Sequence, residues 1–411
     1  MTNEAGAGLV VVGASLAGLR AVESARRGGY TDSITLIGAE IYLPYDRPPL
    51  SKGFLAEGAS PDYFLTEEEL RTELNVDLRL GTFVDGVDTE RKVVTVGDQE
   101  IPYERLIIAT GAEPRVLAHL PAIDGILTLR TLEDARQIRD AIGEGSNLVV
   151  IGAGFIGSEI ASSAQARGAT VTVIEAAPVP LVRAVGEVVG KAISALHGRN
   201  GTRLLTSVQI DEVIGTDHVE AVRLNNGEII PADLIIVGVG AAPATSWLAD
   251  SGLEMSPIDG GIVCDAFMQT SAEGVYAAGD VAHWPNGLMD STMRLENWTN
   301  AADQGTQAAT NALFSEKAKK YETVPYFWSD WYGNRIQFVG TAIADSVSFV
   351  SGGPDEDKFV ALYRAGDRLV GVATLNEPRR IMKYRRFIAE RGDFDRAGDI
   401  LQPATAASSS R

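Results

Sequence analysis

Near its start the chain carries, in order, a short apolar run, a glycine-containing turn and an amphipathic stretch. Residues 9–12 are wholly apolar and lead into the turn VGASLAG at residues 12–18. Apolar residues at helical spacing then cover 16–27, and residues 33–37 (SITLI) predict a second strand. An apolar run before a glycine turn predicts a buried strand, and a period of about 3.6 residues predicts a helix. The stretch therefore predicts a βαβ unit.

The same order returns in the middle of the chain. An apolar run at 148–151 leads into the turn IGAGFIG at 151–157. A helical pattern at 155–167, stopped by Gly168, and a second predicted strand at 170–175 (TVTVIE) follow. The two units also end alike, with LIIATGAEP at 106–114 and LIIVGVGAAP at 234–243. A repeated unit with a repeated ending predicts two related α/β domains that follow each other in the chain.

Later segments extend this organisation. The segment VYAAGD at 275–280 predicts a short strand that returns the chain to the first domain. Beyond Tyr321 short apolar runs flank YGN and RAGD, which predicts two hairpins, 327–331 with 335–339 and 358–363 with 368–373, and a closing helix at about 378–391. The predicted division is a first domain of residues 1–111 and 245–320, a second of 112–244, a C-terminal domain of 321–402 and a disordered tail at 403–411.

Both glycine turns have the spacing of nucleotide-binding loops. In a GxGxxG turn the first glycine permits the tight turn, the second lets the backbone approach a pyrophosphate, and the third lets the helix pack on the strand. Gly152, Gly154 and Gly157 fit this pattern, whereas the first unit has Ser15 between Gly13 and Gly18. A single such turn is equally typical of an ordinary strand-to-helix connection. Two copies in the same context favour two nucleotide sites, with phosphates at the positive ends of the helices.

Acidic residues after the second strands indicate which nucleotide each unit binds. Glu175 ends its strand, where a carboxylate accepts hydrogen bonds from both ribose hydroxyls of an adenosine, and this favours NADH. Arg183 lies nearby in the sequence and keeps NADPH open as an alternative. In the first unit Glu40 comes late after its strand and is a weaker ribose candidate.

Two further segments favour a large, planar and negatively charged cofactor in the first unit. LPYDRPPLSK at 43–52 combines a rigid proline turn with two cations and a small hydroxyl, although prolines also stiffen ordinary surface loops. At the end of VYAAGD, Gly279 would admit a ribityl chain and Asp280 would accept hydrogen bonds from its hydroxyls. The alternative for Asp280 is that it caps a helix.

Composition excludes several classes of function. With 411 residues, 45% of them hydrophobic, the chain exceeds a single compact core. A net charge of -19 disfavours nucleic acids and acidic membranes. Cys264 is the only cysteine, and the four histidines lack metal-ligand spacing, so we expect neither a disulfide nor a metal site. The apolar runs are too short to span a membrane and Glu4 lies where a signal peptide is basic, so we expect a cytoplasmic protein.

The ordered set GASLAG, YDRPPLSK, LIIATGAEPR, IGAGFIGSEIA and VYAAGD closely resembles the FAD-dependent, NADH-dependent ferredoxin reductases of bacterial oxygenase systems. This is the family of putidaredoxin reductase and of the reductase component of biphenyl dioxygenase, and the likeness covers essentially the whole chain apart from the tails. It implies an α/β fold of the glutathione-reductase type, with FAD in the first Rossmann-like domain, NADH in the second and an antiparallel sheet in a C-terminal α+β domain. It also implies an NADH:ferredoxin oxidoreductase, in which FAD takes a hydride and delivers single electrons to a 2Fe-2S ferredoxin.

Carried over residue by residue, the resemblance implies that Lys52 and Glu159 form an ion pair beside the flavin N5 as the candidate catalytic groups. The FAD contacts that it implies or that the turns predict are Gly13, Ala14, Ser15, Gly18, Glu40, Arg47, Pro48, Lys52, Val84, Ala109, Thr110, Gly111, Arg130, Gly279, Asp280 and Trp298. The corresponding NADH contacts are Gly152, Gly154, Phe155, Ile156, Gly157, Glu159, Glu175, Arg183, Gly238 and Trp328. Trp331 stands where the family usually has glutamine, and we expect it to be core packing.

The absence of a cysteine pair limits the possible electron acceptors. Disulfide reductases of this fold need a cysteine pair and peroxidases need one cysteine near residues 42–45, and the chain has neither. Electrons must therefore leave to a separate acceptor, because a four-cysteine iron-sulfur site is also absent. Arg379, Lys383 and Arg386 have helical spacing and form either a solvated face or a docking stripe for an acidic ferredoxin. The alternative functions are an NADH-dependent reductase of rubredoxin, quinone or dioxygen, and a flavin-bearing redox sensor or scaffold.

Overall fold

The computed structural model describes residues 7–401, which form two compact units. The first contains residues 7–46, 61–113 and 241–323, and the second contains residues 47–60, 114–240 and 324–401. The predicted tail at 403–411 lies outside the described residues. Within residues 7–401, no helix combines the length and the apolar character needed to cross a membrane.

The described chain contains eight α-helices and 25 strands. The helices are α1 (Leu16–Gly28), α2 (Gly53–Glu57), α3 (Leu132–Ala141), α4 (Phe155–Ala166), α5 (Val182–Arg199), α6 (Trp298–Leu313), α7 (Ile381–Ala389) and α8 (Phe394–Ala397). The strands up to the middle of the chain are β1 (Gly8–Val12), β2 (Ile34–Ile37), β3 (Val76–Arg79), β4 (Gly86–Asp88), β5 (Val93–Val96), β6 (Gln99–Ile108), β7 (Ala112–Pro114), β8 (Ile126–Leu127), β9 (Asn147–Ile151), β10 (Thr170–Glu175), β11 (Arg203–Thr206) and β12 (Ile210–Ile214). The later strands are β13 (Ala221–Leu224), β14 (Ile229–Pro231), β15 (Leu234–Val237), β16 (Ala241–Pro243), β17 (Ile262–Val263), β18 (Val275–Ala277), β19 (Ala282–Asn286), β20 (Ser291–Met293), β21 (Tyr326–Trp331), β22 (Asn334–Gly340), β23 (Ser346–Gly352), β24 (Phe359–Ala365) and β25 (Arg368–Leu375).

The first unit is built on a sheet with the order β3-β2-β1-β6-β5-β4, and β18 pairs with β6. Strand β1 runs parallel to β2 and β6, and β18 runs parallel to the end of β6. Every residue of β1 is buried, as expected of a parallel strand that is covered on both faces. The prediction that the late VYAAGD segment returns to the first sheet is therefore confirmed.

Helices α1 and α6 of the first unit pack closely because small residues meet at their contact. A Cβ atom at Gly305 would overlap the backbone carbonyl of Ala17. The hydroxyl of Ser24 donates a hydrogen bond of 3.0 Å to the carbonyl of Thr306. Helix α6 also holds the end of β18 in place, because the Gln304 side-chain oxygen accepts the backbone N–H of Gly279 at 2.8 Å.

The second unit contains a further parallel sheet, with the order β11-β10-β9-β15-β8. Strand β9 lies between β10 and β15 and pairs in parallel with both. The repeated α/β unit predicted from the sequence is therefore confirmed. A separate antiparallel sheet of β12, β13 and β14 was not predicted.

The last part of the second unit is an antiparallel sheet of five strands in the order β21-β22-β25-β24-β23. Strands β21 and β22 are joined by Tyr332 and Gly333, which both have positive φ angles, 51° and 75°, as in a type I′ hairpin turn. Strands β24 and β25 form the second hairpin, so both predicted hairpins and the predicted fold class are confirmed. Strand β23, which forms one edge of the sheet, was not predicted.

The closing helix is shorter than predicted. Helix α7 begins at Ile381 rather than near Pro378, because the chain first turns through Asn376, whose φ is 54° and whose side chain bonds to Asn334 and Asp357. The prediction that Arg379, Lys383 and Arg386 share one helix is therefore wrong, since Arg379 precedes it. The predicted inward face is correct, and it buries Ile381, Tyr384 and Ile388.

Candidate active site and nucleotide-binding turns

The glycine turn after β1 needs glycine at its first and third positions for reasons of backbone geometry and packing. Gly13 has a φ of 115°, and a Cβ atom there would overlap the carbonyl oxygen of Ala109. A Cβ atom at Gly18 would overlap the carbonyl oxygen of Gly13. Between them, Ala14 and Ser15 are partly exposed, and Ser15 has an extended backbone as the residue that precedes α1.

The turn after β9 repeats this geometry. Gly152 has a φ of 99° and Gly157 packs against it, so that Cβ atoms would overlap the carbonyl oxygens of Gly238 and Gly152, respectively. Gly154 differs, because its φ is -72° and the nearest protein atom to a Cβ there would be 3.9 Å away. The middle position is thus open on the protein side, and this is where a pyrophosphate needs close approach.

The helix that follows the second turn is suited to an anionic ligand. Gly154 is the N-cap of α4 and offers no side-chain cap, and the first turn of α4 contains no acidic residue. The backbone N–H groups at this helix start have no partner within the helix, and they attract negative charge together with the helix dipole. Both observations fit a dinucleotide phosphate.

Glu175 stands at the end of β10 beside this turn. One carboxylate oxygen accepts the backbone N–H of Ala153 at 3.0 Å, and the other accepts that of Ala177 at 2.8 Å. These bonds fix the carboxylate while each oxygen keeps a lone pair for a ribose hydroxyl. Arg183 lies exposed in the first turn of α5.

The ion pair that the resemblance implies is present in the second unit. Lys52 Nζ lies 2.8 Å from Glu159 Oε2, and only 5% of the Glu159 side chain is exposed. Lys52 also donates to the carbonyl of Pro48 at 3.1 Å. Predicting the pair from sequence required recognising the family, because the segment around Lys52 and helix α4 are far apart in the chain.

Two serine hydroxyls complete the surroundings of Glu159. From the sequence, Ser51 was expected only as a small hydroxyl suited to the cofactor, and Ser329 was assigned no role. Ser51 donates to Glu159 Oε2, and Ser329 donates to Glu159 Oε1. Ser163, one helical turn after Glu159, donates to the carbonyl of Ser51 at 2.7 Å. Spacing of four residues along α4 was the sequence signal that Glu159 and Ser163 share a face. Through these contacts α4 holds the segment that carries Lys52.

Several predicted FAD contacts of the first unit take part in local hydrogen bonds. The Trp298 indole donates to Asp46 at 2.7 Å, and this joins the start of α6 to the YDRPP segment. The Tyr45 hydroxyl donates to Glu40 at 2.6 Å. The Thr110 hydroxyl donates to the carbonyl of Ala244 at 2.9 Å.

The other predicted FAD positions of the first unit have well-defined backbone settings. Ala109 is buried at the end of β6, and Gly111 has a φ of 74°. Val84 packs against the core of the first unit. After β18, Gly279 has a φ of 82°, and the carbonyl of Asp280 accepts a hydrogen bond of 2.8 Å from Arg294.

Besides Lys52, three predicted FAD positions lie in the second unit. The Arg47 guanidinium donates to the carbonyl of Arg130 at 2.7 Å, and Pro48 begins the 3-10 turn Pro48–Ser51. The backbone N–H of Arg130 donates to Asp134 at 3.0 Å, immediately before α3. The structure therefore brings Arg47 and Arg130 together.

An aromatic cluster lies beside helix α4. The ring of Phe155 packs against Phe327 and Trp331, with centroid distances of 4.7 and 5.9 Å. Trp331 is fully buried, as expected, whereas Trp328 is partly exposed and lies under the Arg335 guanidinium. Ile156, in the second turn itself, is 51% exposed and available to a ligand.

Comparison with known proteins identifies the class. Residues 7–305 match the pyridine nucleotide-disulphide oxidoreductase family, and residues 326–406 match the reductase C-terminal family. The chain belongs to the pyridine nucleotide-disulphide oxidoreductase family, as the sequence analysis expected, and is an oxidoreductase that uses FAD and NADH.

Individual relatives match over nearly their whole length. The chain is 34% identical over 393 residues to the ferredoxin-NAD(+) reductase component of the p-cumate 2,3-dioxygenase system of Pseudomonas putida, covering 94% of each chain. It is 37% identical over 380 residues to rubredoxin-NAD(+) reductase of Pseudomonas putida, covering 90% of this chain and 96% of that protein. The crystal structure of the covalent putidaredoxin reductase-putidaredoxin complex matches with a TM-score of 0.90 at 32% identity, covering 96% and 98% of the two chains.

Proposed function

We propose that this protein is an NADH:ferredoxin oxidoreductase that supplies electrons to a bacterial oxygenase. The observation that carries this proposal is the ion pair of Lys52 with the buried Glu159 carboxylate, in a chain similar over 94% of its length to a dioxygenase ferredoxin-NAD(+) reductase component. When bound, FAD would take a hydride from NADH and release its two electrons singly. We place the reaction in the cytoplasm, where NADH is available.

The two glycine turns divide the cofactors between them. The turn with Gly13 and Gly18 receives the FAD pyrophosphate, and Ser15 is tolerated because the middle position is not constrained by the protein's own packing in the related turn at Gly154. The turn with Gly152 and Gly157 receives the NADH pyrophosphate. The fixed carboxylate of Glu175 accepts the ribose hydroxyls and repels a 2′-phosphate, so NADH is preferred over NADPH.

The Lys52 ammonium provides the positive charge that favours the reduced flavin. Glu159 keeps that ammonium in one place, because its carboxylate is buried and anchored by Ser51 and Ser329. A fixed charge in a site shielded from water stabilises developing negative charge without reorganisation during the reaction.

The electrons leave to a separate protein. Cys264 is the only cysteine of the chain and is buried, and its burial raises the pKa of the thiol far above its usual range. It is therefore unsuited to dithiol or peroxidase chemistry. The exposed cations Arg379, Lys383 and Arg386 are the proposed docking positions for an acidic 2Fe-2S ferredoxin.

The proposal is tested with the purified protein, mixed anaerobically with NADH or NADPH and then with a panel of 2Fe-2S ferredoxins. We expect a yellow protein with bound FAD, faster bleaching by NADH than by NADPH, and catalytic reduction of at least one ferredoxin. A colourless protein that cannot be reconstituted, or a flavin that stays oxidised under excess NADH, contradicts the proposal. Slow turnover with every acceptor and a long-lived reduced complex would indicate a sensor or scaffold.

The Lys52→Ala variant tests the role of the ion pair. We expect the variant to retain FAD. In stopped-flow experiments NADH should reduce its flavin at a rate lower by about tenfold or more, because a charged group at the reacting centre is lost. Lys191→Ala is the control, since Lys191 is an exposed lysine in a salt bridge with Glu187 on α5. An unchanged rate in Lys52→Ala would remove Lys52 from the mechanism.

A second candidate function is reduction of rubredoxin. The observation that favours it is the 37% identity with rubredoxin-NAD(+) reductase over 90% of this chain. Steady-state assays with rubredoxin and 2Fe-2S ferredoxins at equal concentrations separate the two, and the acceptor with the higher kcat/KM is the partner class.

A further inference from the structure

A line of hydrogen-bond donors leads from the buried core of the C-terminal sheet to Glu159. The Trp331 indole N–H donates to the Ser329 hydroxyl at 2.8 Å, and that hydroxyl donates to Glu159 Oε1. Ser329 and Trp331 lie two residues apart on β21, so their side chains point to the same face of the sheet. Both are fully buried.

The indole determines the direction of the serine hydroxyl. An indole N–H can only donate, so the Ser329 oxygen must accept from Trp331. A hydroxyl has a single hydrogen, which is then left for Glu159. The carboxylate therefore meets three donors, Ser329 on Oε1 and Ser51 with Lys52 on Oε2.

Packing prevents the indole from turning away. The Trp331 ring lies against Phe155 at 5.9 Å and against His197 at 5.3 Å between ring centroids. The His197 ring is itself held by hydrogen bonds to Ser158 at 3.2 Å and to the Tyr332 hydroxyl at 2.9 Å. The Trp331 N–H can therefore point only towards Ser329.

We propose that Trp331 and Ser329 are positioning residues that orient the Glu159 carboxylate for its ion pair with Lys52. This inference rests on the proposed role of Lys52 beside the flavin. With Oε1 held by Ser329, Glu159 presents Oε2 to the ammonium in one orientation. Without that bond, the carboxylate rotates and interacts more strongly with the Lys52 ammonium. The positive potential that Lys52 produces at the flavin is then smaller.

The test compares Ser329→Ala, Trp331→Phe and the double variant, each loaded with FAD. We expect Trp331→Phe to slow reduction by NADH about two- to tenfold, the range for loss of one neutral hydrogen bond, and Ser329→Ala to slow it at least as much, because its bond is to a carboxylate. The double variant should be no slower than Ser329→Ala, because Trp331 acts only through Ser329. Trp284→Phe is the matched control, since this fully buried indole donates to the carbonyl of Tyr321 at 3.2 Å in the first unit. Additive losses in the double variant, or an equal loss in the control, would overturn the inference.

Two readouts do not depend on turnover with NADH. The flavin midpoint potential, measured by photoreduction against a reference dye, should become more negative in Ser329→Ala and Trp331→Phe and stay unchanged in Trp284→Phe. In the protein without FAD, the indole N–H NMR signal of Trp331 should move in Ser329→Ala and Glu159→Gln, while that of Trp284 should not. Unchanged potentials or an unmoved Trp331 signal would overturn the inference. Failure of NADH to reduce the wild-type flavin would overturn the proposed function and leave these two readouts to decide on Trp331.

Discussion

At the scale of single residues, the two glycine turns contain positions where the backbone itself requires glycine and a middle position where only a bound ligand would. Gly13 and Gly152 have φ angles of 115° and 99° and lie against carbonyl groups of the neighbouring strand ends. Gly154 has an ordinary φ of -72° and no close protein neighbour. The presence of Ser15 at the equivalent position of the first turn is therefore compatible with the fold.

Substitutions in the first turn test this distinction. Gly13→Ala should destabilise the first unit by about 1–3 kcal/mol and lose FAD, because its Cβ overlaps the Ala109 carbonyl and φ is unfavourable. Ser15→Gly should keep FAD bound. The measurements are the ratio of flavin to protein absorbance after purification and the thermal unfolding midpoint. Loss of flavin from Ser15→Gly would show that the serine is needed for binding.

Buried His197 makes stability depend on pH. Its pKa is lowered from 6.5 to about 4 by burial, so the folded protein holds the ring neutral. As pH falls from 6.5 towards 4, the unfolded chain gains a proton that the folded protein does not, and stability decreases by up to about 3 kcal/mol. Urea unfolding between pH 7.5 and 5 should show this slope in the wild type and a smaller one in His197→Gln. The variant His119→Gln, at an exposed position, should keep the wild-type slope.

At the scale of elements, the apolar patterns predicted both βαβ units and both hairpins because these rest on local periodicity and on glycine turns. Exposed and half-buried residues alternate along β23 (SVSFVSG), as is typical of a strand with one face in solvent. The strand was not predicted, because its polar positions are serines rather than charged residues. The start of α7 was not predictable in this way. It is set by Asn376, whose partners Asn334 and Asp357 lie elsewhere in the chain.

The candidate site was also only partly predictable from the local sequence. Glycine spacing located the turns, and family resemblance located Lys52 and Glu159. The sequence placed Ser329 and Trp331 in one predicted strand, but their connection to Glu159 by hydrogen bonds forms only when β21 packs on α4. Core burial of Trp331 was predicted correctly, whereas the hydrogen bond from Ser329 to Glu159 is not a property of the local sequence.

The contact between α1 and α6 provides a prediction about elements. Gly305→Ala places a Cβ atom against the Ala17 carbonyl and should cost about 1–3 kcal/mol, with weaker FAD retention because α6 also holds Gly279. Gly198→Ala in α5 is the control, because a Cβ there has no neighbour within 4 Å and alanine favours a helix. Thermal unfolding and flavin release at raised temperature measure both. Equal stability of the two variants would mean that α1 and α6 separate without cost.

At the scale of the whole molecule, the net charge of -19 opposes approach of an acidic partner, so docking depends on local cations. Arg379 and Lys383 are exposed, and Arg386 is exposed although it pairs with Glu390 at 2.7 Å. Arg379 lies in the turn before α7, Lys383 in the first turn of the helix and Arg386 in its last turn. A salt-sensitive encounter with a ferredoxin is the expected result.

Charge reversal at these positions tests the docking proposal. Arg379→Glu combined with Arg386→Glu should lower ferredoxin reduction about tenfold at low salt, less at high salt, and leave ferricyanide reduction unchanged. Arg71→Glu combined with Lys191→Glu makes the same change in net charge at other exposed positions and should have little effect. Equal losses with ferredoxin and ferricyanide would refute docking at this surface.

Cutting the chain at the predicted domain boundaries would separate Lys52 from Glu159. Residues 47–60 belong to the second unit, where Ser51 and Glu159 meet although they are 108 positions apart. The second predicted domain, residues 112–244, would keep Glu159 but lose Lys52, Ser51 and Ser329, which are the donors to its carboxylate. Restoring the ion pair to this isolated domain would thus require fragment complementation, with the proline-rich peptide supplied in trans.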